Sequence, residues 1–261
     1  MSHLEIDRYS YLKSPIHDWD PRARIVSIIL LIFSIVTLKS LPVAMVGLAV
    51  STGLLLLSRL PLSYVAKGLR WPVIFLIPFL IILPFTAGGQ KSSFYFLSFS
   101  LDGLKLGSLM LIRSLAAVML IFPMVGCAPF LETALALRDL GLPDALTQIF
   151  LFAYRYIFLL NEQLQSMDGS MLSKGFVKRS DARTAKVLGA ALGMLFIRSY
   201  ERSEKIFQAM ASRGYTGRLS HPRRSKMKMD DWLKSSLVIG IALGLQTLHW
   251  LMVDLWTMQS M

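Results

Sequence analysis

The chain has 261 residues, of which 54% are hydrophobic and 17% charged, with a formal net charge of +12. Soluble domains average about 45–50% apolar and about 25% charged residues, so the balance excludes an ordinary soluble domain built on one core. A charge this positive raises nucleic acid as a partner, but here the basic residues lie between apolar runs, as the positive-inside tendency of membrane proteins requires.

Residues 1–20 are polar and carry both charge signs, and the apolar run after them has no small-residue cleavage site, so this first run is expected to stay in the membrane. A helix needs roughly 17–25 apolar residues to cross the hydrocarbon layer. Residues 25–41 and 42–58 each reach the lower limit, and Lys39, Ser40 and Pro42 mark a tight turn between them. A third span runs from Trp71 to about Phe85, with Pro72, Pro78 and Pro84 expected to kink it. A fourth covers 104–127 and contains Arg113, the one charge well inside an apolar run; such a charge is a functional candidate, with snorkelling or pairing with a neighbouring subunit as the alternative. Cys127, the single cysteine, ends that run and reads as a small hydrophobe without chemistry. The last span, 232–253, is bracketed by Trp232 and Trp256, which suit the membrane interface.

Lysine and arginine set the orientation. Arg8, Lys13, Arg22 and Arg24 lie in the N-terminal tail, Arg59, Lys67 and Arg70 in the second connection, and sixteen more in residues 128–230. The first connection has only Lys39, the third only Lys91 with Lys105 at its edge, and the C-terminal tail has none. Five spans with the N-terminus in the cytoplasm and the C-terminus outside account for this alternation. The stretch 145–160 is nearly long enough to span, but Arg155 at its centre and Gln148 near its start oppose that. An unpaired arginine in the bilayer costs at least about 2.5–3.5 kcal/mol. The stretch is expected inside, as a helix lying against the spans or the inner membrane surface.

Within 128–230 the pattern is helical. Pro129 and Glu132 open a short helix that ends near Gly141; Pro143 sits at the first turn of a second, which runs to Gly175; a third runs from about Asp181 to Gly214. Leu188, Leu192, Leu195, Phe207 and Met210 fall near one face of the third, and the two long helices suggest a hairpin or a crossed pair. Their ends repeat. Met171 to Arg179 (MLSKGFVKR) and Met210 to Arg218 (MASRGYTGR) align at an offset of 39 residues, matching Met, Ser, a basic residue, Gly, an aromatic and a final Arg, and Glu162 aligns with Glu201. A basic residue followed by Gly is ordinary helix termination. Two copies that share an aromatic residue, Phe176 and Tyr215, point instead to a repeated surface feature, because capping does not require the aromatic.

These paired ends, Ser173-Lys174-Gly175 and Ser212-Arg213-Gly214, resemble the X-Arg-Gly signature of the T component of energy-coupling-factor (ECF) transporters. The opening SPIHDWDPRAR, from Ser14 to Arg24, is similar to the start of its cobalt and nickel subgroup, the CbiQ type. The resemblance extends from about residue 7 to the last span. It implies a membrane scaffold that couples a pair of cytoplasmic ABC-type ATPase subunits to a small membrane subunit that binds the substrate. Each of the six residues from Ser173 to Gly175 and Ser212 to Gly214 would then serve ATPase coupling. Lys174 departs from the Arg of the family pattern: lysine keeps the charge but lacks the planar fork that grips a carboxylate through two bonds.

No Gly-x-x-x-x-Gly-Lys-Ser/Thr phosphate loop occurs, so ATP hydrolysis falls to partners. His3, His17, His221 and His249 are scattered, and no cofactor or metal site is expected. The basic run His221 to Lys228 is expected to meet anionic lipid, not nucleic acid. The expected architecture is an all-α membrane protein with about five transmembrane helices and a cytoplasmic helical coupling segment between the fourth and fifth. It divides into the tail and four spans (1–127), the coupling helices (128–230), and the fifth span with the C-terminal tail (231–261). The expected function is the energy-coupling subunit of a cobalt or nickel importer in the cell's inner (plasma) membrane. The alternatives are the T component of a vitamin importer or, from another class, a membrane-embedded lipid-processing enzyme. The latter needs clustered acidic groups at the membrane face, for which Asp18/Asp20 and Asp230/Asp231 are the candidates.

Overall fold

The computed structural model describes residues 7, 10, 12, 14–86, 91–94, 97–217 and 227–259. It forms two compact units: one comprises Asp7–Thr133 and Ser225–Met261, and the other includes Ala134–Arg224.

Among the described residues, five long helices of the first unit fall on the five expected spans. Asp20 opens α1 (Pro21–Thr37) by accepting the Arg22 amide at 2.9 Å, with Pro21 in the first turn where its missing N–H costs nothing. Leu38 is extended and ends α1, and Pro42 stands in the first turn of α2 (Leu41–Leu57). The third helix, α3, runs Leu62–Thr86 and passes unbroken through Pro72, Pro78 and Pro84. It begins nine residues before the expected Trp71, so Lys67 and Arg70 lie on its first turns, not in a loop. After it come two short antiparallel strands, β1 (Lys91–Phe94) and β2 (Leu97–Ser100), paired from Lys91 opposite Ser100 to Phe94 opposite Leu97. They lead into α4 (Leu101–Gly126). The chain returns to this unit with α8 (Met229–Gln259).

Residues 62–86, 103–126 and 229–252 are long and apolar enough to cross a membrane. α2, an apolar helix of 17 residues, stands at the short end of the range; α1 also has 17 residues, but Arg22 and Arg24 occupy its first turn, so its apolar part, residues 25–37, is shorter than the range. The core forms around α1: Ile28, Leu31, Ile35 and Leu38 pack with Val43 of α2, Ala116 and Leu120 of α4, and Val238, Ala242 and Leu245 of α8. α3 and α4 approach through Gly103, where an added Cβ would lie 2.6 Å from the Leu83 carbonyl oxygen and 2.8 Å from Pro84 Cα. Gly103 and Gly107 form the small-x-x-x-small spacing that lets membrane helices pack backbone to backbone.

The second unit is built on α6 (Asp144–Ser173) and α7 (Ala182–Ala211), 30 residues each; the short α5 (Phe130–Asp139) precedes them and runs across the division between the units. Pro143 caps α6, and Asp181 caps α7 by accepting the Thr184 amide at 2.8 Å. The Thr184 hydroxyl, and after it this amide bond, hold the Asp181 carboxyl below its ordinary range. Along α6 from Phe152 to Met171 the facing residues of α7 descend from Met210 to Leu188, so the pair is antiparallel. The apolar face of α7 is only partly covered: Leu192 and Phe207 remain exposed.

Candidate functional site

The two expected signatures occupy the C-terminal caps of α6 and α7, and their backbones are the same. At α6 the Gly175 amide donates to Leu172 O at 3.0 Å and the Phe176 amide to Met171 O at 3.1 Å. At α7 the Gly214 amide donates to Ala211 O at 3.0 Å and the Tyr215 amide to Met210 O at 3.0 Å. This is the Schellman arrangement, in which the residue after the cap takes a left-handed conformation that glycine adopts without penalty. Gly175 has φ 81° and Gly214 φ 80°. The serines match as well: Ser173 Oγ donates to Ser170 O at 3.0 Å and Ser212 Oγ to Ala209 O at 3.1 Å.

Capping alone does not explain the repeat. α5 ends in the same two bonds, Gly141 N–H to Arg138 O at 2.9 Å and Leu142 N–H to Leu137 O at 3.0 Å. There the positions of the serine and the cation are taken by Asp139 and Leu140. At α6 and α7 those positions carry Ser-Lys and Ser-Arg, all exposed, and neither the Lys174 nor the Arg213 side chain has a hydrogen bond or ion pair among the described residues. A cation at a helix C-terminus is favoured by the negative end of the macrodipole. Nothing lies within 4 Å of a Cβ built on either glycine, so the surface beside each cation is open.

The 39-residue offset extends through the pair. Phe152, Ser203, Ile206 and Met210 line a cleft of about 240 Å³ between α6 and α7; shifted by 39 they become Ala191, Leu164, Met167 and Met171, which line a second cleft of about 320 Å³. An approximate two-fold axis therefore relates α6 to α7. Because the helices are antiparallel and each is about 45 Å long at 1.5 Å per residue, the axis sets the two cationic caps at opposite ends of the pair.

The chain beyond each cap is held differently. After α6, Lys178 Nζ lies 2.8 Å from the Asp168 carboxylate, and the Arg179 amide donates to Thr184 Oγ1 at 3.2 Å. After α7, Gln148 of α6 accepts a short hydrogen bond from Tyr215 Oη and donates to Gly217 O at 3.0 Å. In the sequence Gln148 stands out only as a polar residue in an apolar stretch; its partners lie 67 and 69 residues away. Arg218 and residues 221–226 of the basic run lie outside the described residues.

The N-terminal motif forms a knot at one end of the first unit. Arg24, fully buried, donates through Nη1 to Ile16 O at 3.2 Å and Cys127 O at 3.0 Å, tying the segment before α1 to the end of α4. Trp19 Nε1 donates to Ser235 Oγ at 3.2 Å, the Asp20 amide to Asp231 Oδ1 at 3.1 Å, and Lys234 Nζ to Pro15 O at 3.0 Å, which add the start of α8. The two acidic pairs weighed for an enzyme thus contribute Asp20 and Asp231 to this knot. His17 Nδ1 is 2.6 Å from Ser14 Oγ, His249 is buried in α8, and His3 and His221 lie outside the described residues. Among the described residues no three His, Cys, Asp or Glu side chains gather as metal ligands. Arg113 also finds a partner inside the unit: its Nη1 donates to Val36 O and Leu38 O, each at 2.8 Å, capping the last turn of α1.

Residues 12–225 match the CbiQ family, described as cobalt transport protein. An uncharacterized protein of Methanocaldococcus jannaschii is 38% identical over 106 residues, 40% of this chain, and the match spans only 36% of that protein's length. The energy-coupling factor transporter transmembrane protein EcfT of Bacillus selenitireducens is 29% identical over 258 residues, covering 91% of this chain and 92% of its own. The putative fused cobalt transport protein CbiMQ of Methanocorpusculum labreanum is 27% identical over 194 residues, 71% of this chain and 32% of that one. With a family match over most of its length and helices apolar enough to cross a membrane, the chain is a multi-pass membrane protein that belongs to the CbiQ family, the transmembrane T components of energy-coupling factor transporters.

Proposed function

We propose that this chain is the energy-coupling scaffold of an ATP-driven importer for cobalt or nickel, in which the caps of α6 and α7 dock on a pair of cytoplasmic ABC-type ATPases. The observation that carries the reading is the pair of matching caps, each with an exposed cation unpaired among the described residues, at opposite ends of two helices related by an approximate two-fold axis. Two ATPase subunits arranged about their own two-fold would each present the same groove to one cap. Closure of the pair would then pull on both ends of the α6–α7 unit. Ser173, Lys174 and Gly175 form one contact and Ser212, Arg213 and Gly214 the other, with the cations as the recognition groups and the glycines as the turn that exposes them. The chain itself hydrolyses no ATP. A small membrane subunit binds the substrate; the cobalt names of the family and of the fused relative favour a divalent transition metal as cargo over a vitamin. The scaffold lies in the inner (plasma) membrane; the alternation of basic and basic-poor segments supports an orientation with the N-terminus and the α6–α7 unit in the cytoplasm and the C-terminus outside. The basic run before α8 meets anionic lipid.

The test is co-purification of the ATPases with Lys174→Ala, Arg213→Ala and the double variant, alongside cobalt and nickel uptake, with membrane expression checked for each. A guanidinium can make two parallel bonds to a carboxylate where an ammonium is a hydrated point charge. Arg213→Ala should therefore weaken recovery more than Lys174→Ala, and Lys174→Arg should keep or strengthen it. Undiminished recovery with the double variant refutes the coupling role of the caps.

A further inference from the structure

The two caps match in backbone, serine bond and exposed cation, but they differ in how the following chain is held. At the α6 end the tail is tied by Lys178 to Asp168, a residue of α6 itself, through an exposed ion pair. At the α7 end it is tied across to the other helix. Gln148, on the second turn of α6, accepts from Tyr215 Oη and donates to Gly217 O, so one amide grips the chain at two points, one and three residues after Gly214. The approximate two-fold makes this an asymmetry that the sequence encodes at both positions. The equivalents of Gln148 and Tyr215 at the α6 end are Val187 and Phe176, neither of which has a polar side-chain atom for such a bond.

Resting on the coupling reading above, we propose that Gln148 is a positioning residue for the second cap. Its amide fixes the direction in which Arg213 is presented to the ATPase and locks the end of α7 to the start of α6, so that a pull on that cap moves both helices together. Arginine gains most from such fixing. A bidentate guanidinium contact depends on orientation, whereas the ammonium of Lys174 presents three equivalent donors on a flexible stem and tolerates a looser tail. The rigid strut therefore stands at the cap that carries the orientation-dependent group.

The experiment measures the affinity of the co-expressed ATPase subunits for the full chain in detergent or nanodiscs, for Gln148→Leu, Gln148→Glu and Tyr215→Phe, each alone and combined with Arg213→Ala or Lys174→Ala. Loss of two neutral hydrogen bonds near solvent predicts about a three- to tenfold weakening for Gln148→Leu. Gln148→Glu, which still accepts from Tyr215, and Tyr215→Phe, which spares Gly217, should each give a smaller loss. The loss from Gln148→Leu should persist with Lys174→Ala and vanish with Arg213→Ala, because only the Arg213 contact depends on the strut. Equal losses in both backgrounds would make Gln148 a general stabiliser of the helix pair and overturn the proposal. So would an unchanged affinity for Gln148→Leu while Arg213→Ala weakens binding. If Arg213→Ala itself is neutral, the coupling reading fails, and the strut fails with it for want of a contact to orient.

Discussion

Replacing the cap glycine of α7 by a graded series separates the conformation of the cap from the space its partner needs. Gly214 has φ 80°, and a Cβ built there meets no atom of this chain within 4 Å. Within the chain the cost of a side chain is therefore the cost of the left-handed conformation, roughly 1–2 kcal/mol for an ordinary L-residue. It is less for asparagine, which tolerates that region, and greatest for a β-branched residue. If the cap must hold this shape to engage an ATPase, affinity should fall in the order Gly, Asn, Ala, Val, with the alanine variant about five- to thirtyfold weaker, the factor corresponding to 1–2 kcal/mol. Asparagine is larger than alanine, so the order of these two decides the cause. Asparagine binding better than alanine makes the effect conformational; asparagine binding worse means the partner packs against the glycine, and the conformational argument is refuted. Gly175, with φ 81° and equally open surroundings, should give the same series. Gly141→Ala is the control: it strains the cap of α5, where no cation follows the same geometry, and should leave ATPase affinity unchanged.

Two further predictions concern the membrane unit. Gly103→Ala places a methyl group against the backbone of α3 at Leu83 and Pro84, which cannot rotate away, and should lower stability by about 1–3 kcal/mol; Gly53→Ala, with open space around it, should not, and a wild-type melting temperature for Gly103→Ala would refute the close contact. Arg24→Met keeps the side-chain volume but removes the donor to Ile16 O and Cys127 O, at about 1–3 kcal/mol for each carbonyl left without it; a melting curve in detergent that matches wild type would show that the knot does not depend on this arginine.

The sequence by itself determined the class of fold, because the length of an apolar run and the scarcity of charge within it are local quantities that a bilayer reads directly. It also determined the two caps, since Gly after a basic residue specifies the turn through the backbone alone and the 39-residue repeat marks it twice. The start of α3 escaped it: hydropathy registers the apolar window, whereas the helix continues for nine residues over Lys67 and Arg70, which a helix end tolerates at little cost. The stretch that holds strands 91–94 and 97–100 carries a faint period-two alternation of serine and phenylalanine, too short to outweigh the adjoining apolar runs. Tertiary structure decided the rest. Arg113 reads as an isolated intramembrane charge until α1 ends beside it and offers two carbonyls. The SPIHDWDPRAR segment reads as a signature until Arg24, Trp19 and Asp20 are seen holding α1, α4 and α8 together. Gln148 and Tyr215 are 67 residues apart and meet only because α6 and α7 run antiparallel. A repeat in the chain records that two helix ends are alike; which way the helices run, and so whether the two cations lie side by side or at opposite ends, depends on contacts between residues that no local pattern relates.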